Sequence, residues 1–127
     1  MTKVVGDYTL DCILGSGQFG KVFKARHSKY SNFFAIKAVK RNIFDENPKL
    51  KEFTINEIRA LTKINNDYVV KFIEMIKTNH NIYFVYEFCN GGTLEDDLLM
   101  KGHYSEKEAK EIFLQIVKGF FNLILAL

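Results

Sequence analysis

Apolar and polar positions first alternate on either side of a cluster of glycines. Residues 8–14 and 22–25 are apolar-rich runs flanking Gly15-Ser16-Gly17-Gln18-Phe19-Gly20, and Lys21-Val22-Phe23-Lys24-Ala25-Arg26 repeats with period two. Such alternation, rich in β-branched and aromatic residues, predicts two strands joined by a glycine tip. Phe33-Phe34-Ala35-Ile36-Lys37-Ala38-Val39 predicts a third strand, with Ala35, Lys37 and Val39 on one face. The period then lengthens. Asn47 and Pro48 suit the cap and first turn of a helix over residues 48–64, whose stripe carries Leu50, Phe53, Ile58, Leu61 and Ile64. After Asn65-Asn66-Asp67, apolar stretches at 68–76 and 82–88 flank Lys77-Thr78-Asn79-His80-Asn81, which predicts a second hairpin. Thr93-Leu94-Glu95-Asp96 and Ser105-Glu106-Lys107-Glu108 have the form of capping boxes opening two further helices. The expected fold is α+β: a five-stranded antiparallel sheet with one large helix, then two helices.

Two charges sit where the pattern calls for apolar side chains. Lys37 lies on the Ala35/Val39 face, and Glu57 lies within the helical stripe between Phe53 and Leu61. Burying an unpaired ammonium is expensive, so Lys37 needs a counter-charge or a ligand phosphate, unless it snorkels from an exposed strand. Glu57 could point to solvent or pair with Arg59 or Lys63. Opposite signs on adjoining elements suggest instead that Lys37 and Glu57 are partners. The glycine array is open to two readings as well. It is a plain hairpin turn, or a lid whose backbone approaches phosphates without a Cβ in the way. A dinucleotide site would need a helix at its last glycine, and a strand is expected there.

Composition narrows the classes. A chain of 127 residues is one domain or a piece of one. A net charge of +3 spread along the chain does not argue for nucleic acid. Cys12 and Cys89 are far apart and form no metal-like spacing, which fits reduced thiols of a cytoplasmic or nuclear protein that is not secreted. The apolar ending at 120–127 is too short to span a bilayer, so no membrane partner is expected.

The glycine array, Lys37, Glu57 and Gly91-Gly92, in that order, resemble the N-terminal part of eukaryotic protein kinases, from about Tyr8 to Asn122. The resemblance implies a kinase-like N-lobe with its hinge at 8–89 and the start of a second lobe at 90–127. It places Gly15, Ser16, Gly17, Gln18 and Gly20 over the ATP phosphates, with Phe19 capping the tip. Leu14, Val22 and Ala35 would sandwich the adenine. Lys37 would hold the α and β phosphates and Glu57 would orient it. Tyr86 falls at the gatekeeper position, the Glu87 carbonyl and Cys89 N–H would read the adenine edge, and Thr93 falls near the ribose. The run Glu87 to Leu94 looks most like serine/threonine kinases, including the autophagy-initiating group. Members continue into a His-Arg-Asp loop and an Asp-Phe-Gly site holding the catalytic Asp and the Mg²⁺ ligands, and neither tripeptide occurs here. The expectation is therefore ATP binding without a catalytic residue or metal ligand, an inactive chain, and a protein substrate only for the intact kinase. The alternative is a non-catalytic interaction fragment. Phe113, Ile116, Phe120, Leu123 and Leu127 would then lack neighbours and favour self-association.

Overall fold

The structure, a computed structural model, describes residues 3–126; Leu127 lies outside them. Strands β1 (Lys3–Val5), β2 (Tyr8–Gly17), β3 (Gly20–His27) and β4 (Phe33–Lys40) lead into helices α1 (Arg41–Glu46) and α2 (Pro48–Lys63). Strands β5 (Phe72–Lys77) and β6 (Asn81–Glu87) follow, then helices α3 (Leu94–Lys101) and α4 (Glu106–Ala126). All strands join one antiparallel sheet in the order β1-β2-β3-β4-β6-β5.

Three sequence expectations change. The sheet has six strands, not five, because a three-residue β1 pairs with β2. A second helix, α1, precedes the large one. Residues 68–71 are not strand, so β5 starts at Phe72.

Alternation divides the core between the two sheet faces. On one, Val5, Tyr8, Leu10, Ala25, Ile36, Tyr83 and Val85 are buried together. On the other, Val39, Phe44 and Phe84 are buried beneath Leu50 and Ile58 of α2. Full burial of Ile36 removes apolar surface worth about 1.5–3 kcal/mol from water. The Tyr8 hydroxyl donates to the Glu74 carboxylate at 2.7 Å, and burial followed by that bond raises its phenol above the usual range.

Local capping sets the helix starts. The Asn47 side chain accepts the Leu50 N–H at 3.2 Å, with Pro48 opening α2. Phe53, expected on the buried stripe, is 71% exposed, because the sheet takes Leu50 and Ile58 while Phe53 looks toward α4. Ser105 and Glu108 exchange bonds of 2.8 and 3.2 Å at the start of α4. At Gly119 that helix packs on Tyr68, where a Cβ would lie 2.8 Å from the Tyr68 carbonyl oxygen.

Candidate functional site

The hairpin is drawn tight: β2 and β3 pair out to Gly17 opposite Gly20, leaving Gln18 and Phe19 as the link. Its glycines do different jobs. A Cβ on Gly20 would run into the Ala38 carbonyl, so packing of β3 on β4 demands glycine there. At Gly15 and Gly17 an added Cβ would meet nothing within 4 Å. Packing does not require these two, and their backbone is exposed and open to approach.

Residues directly opposite in antiparallel strands share a face. Val22 lies opposite Lys37 and Lys37 opposite Phe84; one step along, Lys24 lies opposite Ala35 and Ala35 opposite Tyr86. Val22, Ala35, Lys37 and Tyr86 therefore stand on the face that α2 covers. Lys37, Glu57, Tyr86 and Phe19 line a single cavity of about 30 Å³ with Val39, Phe44, Leu50, Thr54 and Phe84. That volume suits a water.

The expected Lys37–Glu57 ion pair is not formed. The four ion pairs among the described residues are Arg26–Asp11, Lys101–Asp97, Lys101–Glu108 and Lys110–Glu106. Both groups line the shared cavity, and Phe19 lines it with them. Glu57 is felt at Tyr86 instead. Burial chiefly, and the Glu57 charge next, push the Tyr86 phenol up to about 12, so it keeps its proton at neutral pH.

At the end of β6, Glu87 is pinned to residue 71. Its N–H donates to the Lys71 carbonyl at 3.0 Å, and its carboxylate accepts the Lys71 N–H at 2.8 Å. Cys89 follows, exposed. Leu14 is exposed beside an irregularity in the β2–β3 pairing, and Ser16 and Gln18 are exposed on the hairpin. Thr93 is occupied by its own helix: its hydroxyl accepts the Asp96 N–H at 3.1 Å and donates to the Asp96 carboxylate at 2.7 Å. The bond from the hydroxyl, and one from the Thr93 N–H to the same carboxylate at 3.1 Å, hold the Asp96 carboxyl below its usual range.

Sequence reasoning missed Phe44, Thr54 and Phe84 as cavity walls. Phe84 could have been found, since it alternates with Tyr86; Phe44 comes from the unexpected α1. Among the described residues no cluster of His, Cys, Asp and Glu could hold a metal ion, and no helix is long and apolar enough to cross a membrane.

An antiparallel sheet with a glycine hairpin, a lysine on its middle strand and one long helix bearing an acid toward that lysine is a lobe of the protein-kinase type. The family model described as Protein kinase domain matches residues 8–123, and the chain belongs to that family. Serine/threonine-protein kinase ATG1b of Arabidopsis thaliana is 36% identical over 117 residues, which are 92% of this chain and 16% of that protein. Serine/threonine protein kinase OSK3 of Oryza sativa is 35% identical over 118 residues, 93% of this chain and 23% of the relative. CBL-interacting protein kinase 17 of Oryza sativa is 34% identical over 116 residues, 91% and 25% respectively. The chain thus spans between about a sixth and a quarter of these relatives.

Proposed function

We propose that these 127 residues are the ATP-binding portion of a serine/threonine protein kinase, whose whole protein transfers the γ-phosphate to protein hydroxyls. One observation carries the reading. Gly15 and Gly17, which packing does not require, belong to the hairpin whose Val22 stands opposite Lys37, while Glu57 and Tyr86 share the Lys37 cavity. In that role the hairpin backbone and Lys37 bind the phosphates, Val22 and Ala35 flank the base, and the Glu87–Cys89 segment reads its edge. Leu14 completes the adenine walls. Both bonds of the Thr93 hydroxyl serve the cap, so a contact with the ribose would have to displace one of them.

The residues fit a nucleotide; the Mg²⁺ ligands of the family come from the His-Arg-Asp and Asp-Phe-Gly regions, and neither tripeptide occurs in the sequence. Phosphoryl transfer depends on positioned charge of that kind, so the chain by itself binds nucleotide and turns nothing over. The exposed free thiols of Cys12 and Cys89 fit a cytoplasmic or nuclear setting. ATP at a hundredfold excess over its Kd should add about 2.7 kcal/mol to stability. A thermal melt with and without ATP tests this. The shift should largely vanish in Lys37→Met, and an equal shift in that variant would refute the site.

The exposed face of α4 favours a second reading, in which the chain works as an interaction fragment that self-associates. Phe113 is 67% exposed and Phe120 61%. Sedimentation equilibrium decides it: a monomer at micromolar concentration excludes self-association through α4.

A further inference from the structure

A second lysine lies on the Ala35 face. Lys24, opposite Ala35 in the β3–β4 register, holds its Nζ 3.9 Å from the centroid of Phe33 and 4.9 Å from that of Phe88. The two rings meet edge to face at 6.1 Å and 67°. None of the four ion pairs among the described residues includes Lys24, so the aromatic rings are its charge-stabilising neighbours. Phe33 opens β4, two residues before Ala35, and Phe88 falls between the end of β6 and Cys89. One cation thus joins β3, the start of β4 and the segment that follows β6.

We infer that Lys24 is a positioning residue: its cation–π clamp on Phe33 and Phe88 fixes the Glu87–Cys89 segment against Ala35 and thereby sets affinity for the adenine end of the nucleotide. The inference rests on the nucleotide reading above and adds to it a residue that need not touch the ligand. The segment after β6 is otherwise held at Glu87, through Lys71 and through its pairing with Phe34. Beyond that point the Phe88 ring supplies the anchor, and a cation attracts a ring face over a broader range of positions than a hydrogen bond tolerates. Such an anchor holds the backbone of Cys89 near the sheet while Cys89 itself stays exposed.

The test compares Lys24→Met, which keeps length and removes charge, with Lys24→Arg, which keeps the cation. Adenosine, ATP and inorganic tripolyphosphate are each titrated, and hydrogen exchange is followed at the Phe88 and Cys89 amides. Lys24→Met should weaken adenosine and ATP by the same factor, roughly two- to fivefold, as an exposed cation–π contact implies. Tripolyphosphate should bind unchanged, the two amides should exchange faster, and Lys24→Arg should restore all of these. Unchanged adenosine affinity with unchanged exchange overturns the inference, as does equal weakening of tripolyphosphate, which would make Lys24 a general phosphate attractor. Lys37→Met separates the two ideas, because it should weaken ATP and tripolyphosphate and spare adenosine. If the unaltered chain binds none of the three, the nucleotide reading falls and the affinity claim with it, while exchange at Phe88 still reports on the clamp.

Discussion

The sheet and the C-terminal helices solve the same problem to different degrees. Both sheet faces bury an apolar cluster, and Ile36 and Val85 have no exposed surface at all. In α4 Gly119 is buried, while Phe113, Ile116 and Phe120 stay more than half exposed. A sheet divides its neighbours between two faces and finds them within its own hairpins. An amphipathic helix needs a second layer, and α4 obtains only a strip of it from α2 and Tyr68. Stability should therefore reside in the sheet, and substitutions on α4 should be felt weakly.

The largest expected effect is Ile36→Ala, about 2–5 kcal/mol by urea denaturation, against a change within about 0.5 kcal/mol for Phe120→Gln. Equal losses would mean that α4 is part of the cooperative core. Next comes the glycine hairpin. Gly20→Ala should cost about 1–3 kcal/mol because its Cβ collides with the Ala38 carbonyl, while Gly17→Ala, facing open space, should cost under about 1 kcal/mol. Reversal of that order would show that the hairpin packs differently. Thr93→Ala removes one helix cap, and about 1 kcal/mol or less is expected, seen as faster hydrogen exchange in α3 with the sheet amides unchanged.

The last effect appears only in alkali. The Tyr86 phenol is raised to about 12 in the folded chain from the ordinary value near 10. A group with a raised folded pKa contributes stability that is fully present below its unfolded pKa, and that contribution falls as pH rises from about 10 toward 12. Tyr8 is raised in the same direction, mainly by burial, and adds to the fall. Tyr86→Phe should flatten part of the pH–stability curve above pH 10, measured by denaturation; an unchanged slope would contradict the burial of its hydroxyl.

Features legible in the sequence were those decided within a few residues. The Asn47 cap, the Thr93–Asp96 and Ser105–Glu108 boxes, and the shared face of Ala35, Lys37 and Val39 each follow from a local period or bond. β1 and α1, at three and six residues, are too short to display a period. Phe53 misled because a helical stripe names a side without naming its neighbour: the sheet claims Leu50 and Ile58, and α4 leaves Phe53 largely open. Lys37 and Glu57, expected to pair, line one cavity without forming an ion pair, and Phe19, more than fifteen residues before the lysine, lines it with them. Spacing along the chain does not show which distant side chain will share such a space.

Amide chemical-shift mapping on adding ATP tests the central claim most directly. Shifts should concentrate at Gly15, Gly17, Ala35, Lys37 and Cys89, with Phe19 moving as it leaves the Lys37–Glu57 cavity, and should be lost in Lys37→Met. Shifts scattered over α4, or a pattern in the hairpin that survives loss of the Lys37 charge, would contradict it.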